Sequence, residues 1–180
     1  MRNRGRDDGR TLSAFIDRID VVCPRCNQHA VVRAIDTPNG QTSSPCPARL
    51  GCAHCGLIRT QRLERGVLRH YGLRSDGHDP YFGAPLWLVA PTRHGVVFAY
   101  NAHHLESLEG FVSARLRERG TLTGTTWRNR SLHARLPRWM KLAQNRSDVL
   151  TALSRLRERL QQVELKQGAT QRSRHLRDLD

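Results

Sequence analysis

The first apolar pattern along the chain is Phe15, Ile16 and Ile19, followed by Val21 and Val22 running into Cys23. It predicts a short helix or turn, then an extended lead-in. "HAVVRAID", from His29, is apolar and β-branched and reads as a strand. "TPNGQTSSPCPARLG", from Thr37, collects Pro, Asn-Gly and Ser and reads as a loop. "GLIRTQRLER", after Cys55, reads as a second strand, and "YGLRSDGHDPYFGAP" as an irregular link. Two short apolar runs, "LWLVA" from Leu86 and "VVFAY" from Val96, flank "PTRHG". They predict a hairpin, and their near-continuous apolarity predicts cover on both faces.

From Asn101 the period changes. Leu105, Leu108, Val112 and Leu116 recur at helical spacing with Phe111 beside them, which predicts a capped helix over 102–119. Ser131 can cap a short turn, Pro137 can sit in the first turn of the helix "PRWMKLAQN", and Ser147 can cap the last helix. That helix carries Val149, Leu153, Leu156, Leu160 and Val163, the narrow seam of a coiled-coil-like contact. Two heptads are too few for an independent zipper, so the seam is expected to pack on the protein's own body. The tail from Gly168 reads as frayed.

The chemistry of the chain lies in its cysteines. Cys23-x-x-Cys26 and Cys52-x-x-Cys55 repeat one spacing, with 25 residues between the pairs. Each pair can wrap a tight turn that aims two sulfurs at one ion, and two such turns complete a tetrahedral shell. A redox dithiol at "CPRC" would need a βαβ setting that these strands and turns do not offer. A shell of three cysteines with His29 or His54 is the other ligand set, and Cys46, six residues before Cys52, reads as a spare thiol. A redox trigger at Cys46 that ejects the ion ranks below both.

The segment "VVCPRCNQHAVV…LGCAHCGLIRT" resembles a zinc ribbon, the rubredoxin-like knuckle pair of general transcription factors and many bacterial proteins. "DPYFGAPLWL…VFAYNAHHLESLEGFVSARLRER" is similar to uncharacterised bacterial proteins described as zinc-ribbon-containing. The resemblance implies a zinc ion on Cys23, Cys26, Cys52 and Cys55, and leaves the partner open. The expected architecture is α+β. A disordered lead over 1–10 precedes a zinc ribbon over 11–75. A hairpin plus helix follows over 76–120, then a C-terminal helical pair over 121–166 and a flexible tail over 167–180.

Composition sharpens the function. A hydrophobic fraction of 38% and a mean hydropathy of −0.60 make a thin core for 180 residues, which structural zinc would reinforce. The net charge of +14 favours a polyanion. Lys141 and Lys166 are the two lysines among 30 basic residues, and the charge concentrates around the cysteines and in the last third. Candidate nucleic-acid contacts are Arg25, Arg33, Arg49, Arg59 and Arg62, then Arg128, Arg130, Arg135, Arg138 and Lys141, with Trp127 and Trp139 among them. The alternative is an adaptor whose ribbon and last helix dock an acidic or helical protein. His103 with Glu106, and Asp76, His78 and Asp79, match no catalytic signature, and phosphate-loop and G-x-S-x-G motifs are missing, so an enzyme is not expected. No apolar run reaches membrane-spanning length and the N-terminus lacks a signal pattern; a cytoplasmic protein with reduced thiols is expected.

Overall fold

A computed structural model of the chain describes residues 4–7, 9–35, 47–61, 63–64, 67–68, 76–114, 116–119 and 131–177, with side chains for 9–35, 47–61, 76–114 and 131–166. The strands are β1 (Arg4–Asp7), β2 (Arg18–Val22), β3 (His29–Ala34), β4 (Ala48–Gly51), β5 (Ile58–Thr60), β6 (Leu63–Glu64), β7 (Val67–Leu68), β8 (Leu88–Thr92), β9 (Gly95–Ala99) and β10 (Leu116–Arg119). The helices are α1 (Ala102–Ser113), α2 (Leu132–Arg135), α3 (Arg138–Lys141) and α4 (Arg146–Arg177). The mix of antiparallel sheets and helices is α+β.

The front of the molecule is a four-stranded antiparallel sheet in the order β2-β3-β4-β5. Alternation sends Ile19, Val21, Ala30, Val32, Ala48 and Leu50 to one face, where all are buried. β4 arises inside the segment read as a loop. Its "ARLG" is too short and too mixed to show a strand pattern alone, and its pairing with β3 makes it one. The rest of that loop, with Cys46, lies outside the described residues.

β8 and β9 form the expected hairpin, joined through Arg93 and His94. Its faces differ. Leu88, Ala90, Val97 and Ala99 are buried, while Val89 and Phe98 are half-buried and Val96 is 46% exposed. The hairpin is tied to the sheet along the edge of β2. The Val22 N–H donates to Pro85 O at 2.8 Å, the Trp87 N–H to Asp20 O at 2.9 Å, and the Asp20 N–H to Tyr100 O at 2.7 Å. Asp79 holds the approach to this clasp, its buried carboxylate accepting the N–H groups of Tyr81, Phe82 and Ala84.

α1 starts where the cap predicts, with Asn101 Oδ1 accepting the His104 N–H at 2.9 Å. It ends at Ser113, earlier than the apolar spacing suggests, because Ala114 is extended and Leu116–Arg119 leave to pair with Arg4–Asp7 in parallel. That pairing also orders part of the expected disordered lead. α4 buries Val149, Leu153, Leu156, Leu160 and Val163 and packs on α1, β8 and β9, so the seam is internal. Arg157 grips Glu109 of α1 with two guanidinium nitrogens. α4 begins at Arg146, one residue before the expected Ser147 cap, and continues past Gly168 to Arg177. Good helix formers surround that glycine, whose cost of about 1 kcal/mol does not stop a helix. Ser131 caps α2 by accepting the Ala134 N–H, and Pro137 immediately precedes α3.

Candidate metal centre and the basic surface beside it

β2 and β4 each run directly into a cysteine turn, and the two turns are copies of one another. In the first, the Cys23 N–H donates to Gln28 O at 2.8 Å and the Asn27 N–H returns to Cys23 O at 2.9 Å. In the second, the Cys52 N–H donates to Leu57 O at 2.9 Å and the Gly56 N–H returns to Cys52 O at 3.0 Å. Both turns close on a left-handed residue, Asn27 at φ 58° and Gly56 at φ 70°. Glycine takes that conformation freely and asparagine better than other side chains.

The β3–β4 pairing brings the turns together. Cys23 Sγ lies 3.7 Å from Cys55 Sγ and Cys26 Sγ lies 3.6 Å from Cys52 Sγ. The four sulfurs all fall within 4.8 Å of one another. A tetrahedral ion with metal–sulfur bonds near 2.3 Å needs sulfur–sulfur edges of about 3.8 Å. The cluster therefore fits one metal ion. Thiolates select soft or borderline metals over calcium and magnesium.

The site is electrically poised for a cation. Burial raises the Cys23 pKa, but the N–H groups of Arg25 and Cys26 and the neighbouring thiols outweigh it, bringing it to about 7. The Arg25 N–H lies 3.4 Å from Cys23 Sγ. At Cys26 the Gln28 N–H favours the thiolate, yet burial and the other three sulfurs dominate and push it up to about 12. Burial also raises Cys52. A thiolate forms readily at Cys23, while those at Cys26 and Cys52 are opposed until a positive ion is supplied. Cys23 and Cys52 are buried, whereas Cys26 and Cys55 are half-buried.

Neither histidine of the other ligand set belongs to this cluster. His54 is exposed, and His29 turns its Nε2 to the buried Asp20 at 3.0 Å and packs its ring edge-on to Trp87. The sequence offered no sign of the Asp20–His29 pair, because the register of β2 on β3 creates it.

The basic candidates divide. Arg33 and Arg49 are exposed and directly opposite one another across β3 and β4. Arg18, not a candidate from sequence, stands opposite Arg33 on the other side and extends the row. Arg59 pairs with Leu50, which places it on the opposite, core-side face, and Arg25 sits at the exposed tip of the first turn. Arg135 and Arg138 are exposed around α2 and α3, apart from the sheet row in sequence and element. Lys141 donates to Ala134 O at 2.9 Å. Arg62, Arg128, Arg130 and Trp127 lie outside the described residues. Trp139 is half-buried and stacks on His94.

His104 is a core histidine. It is buried among Phe15, Phe98 and Tyr100, its Nδ1 accepts the Tyr100 N–H, and burial lowers its pKa to about 3. His103 and Glu106 are exposed. No family model, curated protein or solved structure matches the chain. No helix among the described residues is long and apolar enough to cross a membrane.

Proposed function

We propose that this is a zinc-ribbon protein whose zinc is structural and whose arginine-bearing surfaces bind nucleic acid. The observation that carries the reading is the closure of Cys23, Cys26, Cys52 and Cys55 from two matched turns onto one point. Zinc, with no geometric preference beyond four thiolates, suits that shell, and iron is the competing soft ion. Four cysteine ligands leave no position for water, so the ion organises the fold and does not activate a substrate. Net positive charge and the row of arginines on the sheet that carries the cluster support a polyanionic partner. The adaptor reading loses one of its two surfaces, since the seam of α4 is buried.

Elemental analysis of the purified, reduced full chain should find one zinc per chain. Fluorescence anisotropy with DNA and RNA should show binding at about 50 mM salt that falls steeply by about 200 mM. A metal-free folded chain, or no nucleic-acid binding at the lower salt, would overturn the corresponding half of the reading.

A further inference from the structure

The four-stranded sheet has one face on the core; on the other, Arg33, Arg49, Ile58 and Thr60 are exposed while Asp20 is buried against His29, and this outer face has an order that composition does not require. Its first row across the strands is Arg18, Arg33, Arg49 and Thr60, residue opposite residue. Its second row, two residues along each strand, is Asp20, Val31, Gly51 and Ile58. Like charges directly opposite one another destabilise a sheet. Three arginines in line therefore oppose folding unless something neutralises them. Arg18 has Asp20 at 3.3 Å; among the described residues, no carboxylate pairs with Arg33 or Arg49.

Gly51 is the second, independent sign. A glycine in a strand weakens it, and it suits a place where a backbone needs positive φ, bulges or bends, where packing leaves no room, or where a partner approaches closely. Gly51, the last residue of β4, is not among the positive-φ glycines, and among the described residues a Cβ added there would meet nothing within 4 Å. Nor does the cysteine turn need it, because Val22 holds the same place before Cys23 in the matching turn. The register through Gly51 is unbroken on both sides, so no bulge calls for it, and close approach of a partner is the use this glycine fits. On either side of Gly51 lie Val31, half-buried, and Ile58, 68% exposed.

We propose that this outward face holds a single-stranded nucleic acid, its phosphates on the Arg18–Arg33–Arg49 row and its bases over the Val31–Gly51–Ile58 strip; the proposal rests on the nucleic-acid reading above. A single strand fits better than a duplex. The row spans only about 10 Å, two strand spacings, across a sheet face. Reading a duplex takes a helix or ribbon that enters a groove, and this face presents neither. Unpaired bases expose their faces, which the aliphatic Val31 and Ile58 side chains can cover by apolar contact without sequence demand.

The test uses the full, zinc-loaded chain and fluorescence anisotropy with labelled oligothymidylate, oligouridylate and a mixed-sequence duplex. Arg33→Gln with Arg49→Gln should weaken single-strand binding by about tenfold or more and lower the log–log salt slope by about 1.4, the share of two single-strand phosphates. Gly51→Val should weaken binding several-fold while leaving zinc content and unfolding midpoint no lower than wild type. Arg155→Gln, at an exposed arginine of α4 outside the candidate contacts, should bind nearly as wild type. Wild-type binding that is unchanged in the Arg33/Arg49 pair or in Gly51→Val overturns this face as the site and leaves the nucleic-acid reading standing. Preference for the duplex overturns the single-strand assignment alone. Absence of all nucleic-acid binding, with polyglutamate held instead, overturns both.

Discussion

Asn27 and Gly56 do the same task with different side chains, and the difference is measurable. Both close a cysteine turn at positive φ. Asn27→Gly should leave stability within a few tenths of a kcal/mol, whereas Asn27→Val should cost about 1–2 kcal/mol in urea unfolding, because a β-branched residue resists the left-handed region. His104 gives a residue-scale pH effect. Its folded pKa, about 3, lies below its ordinary 6.5, so the unfolded chain takes up the proton first as pH falls. The stabilisation of the neutral buried ring is complete above pH 6.5 and is lost between there and about 3, at about 1.4 kcal/mol per pH unit. In His104→Gln the unfolding free energy should depend less on pH by that slope across the window. Equal pH slopes for the two proteins would contradict the assignment.

At the scale of elements, Asn101 links three of them. Its Oδ1 caps α1, and its Nδ2 donates to Phe15 O at 2.8 Å and to Arg18 O at 2.6 Å. Aspartate caps a helix as well as asparagine but has no donors for those carbonyls. Asn101→Asp should therefore destabilise by about 3 kcal/mol, close to Asn101→Ala, in denaturant unfolding. A near-neutral Asn101→Asp would mean that capping alone matters there. The sheet follows the same logic of shared backbone. β2 has β3 on one side and the Pro85–Trp87 stretch and Tyr100 on the other, so its edge is covered.

Across the whole molecule, the sheet, hairpin, α1 and α4 share one buried cluster that runs from Phe15 and Ile19 through Leu88 and Leu105 to Leu160. The cysteine turns are bonded into that sheet, so losing the ion should be felt throughout. If the proposed structural ion is bound there, removing it with a chelator at neutral pH should lower the free energy of unfolding by several kcal/mol. The helical far-UV signal of α4 should melt together with exposure of the thiols. A helical transition that stays put while the thiols become reactive would show the sheet to be an independent unit. Cys26→Ser should behave like the chelated protein and retain little metal.

What the sequence alone determined is local: two matched cysteine spacings, the Asn101 cap, the hairpin and the α4 seam, each written within one or two turns of chain and each visible in a period or a spacing. What tertiary structure decided is register and competition. β4 is a strand because β3 is beside it, and α1 ends at Ser113 because the next residues find Arg4–Asp7. Arg18, Arg33 and Arg49 are scattered by sequence and become a row through pairing alone. The reason is physical. A cap or a helical stripe is recognised by neighbours a few residues away, whereas opposition across strands depends on which distant backbone groups hydrogen-bond, and no single segment carries that choice.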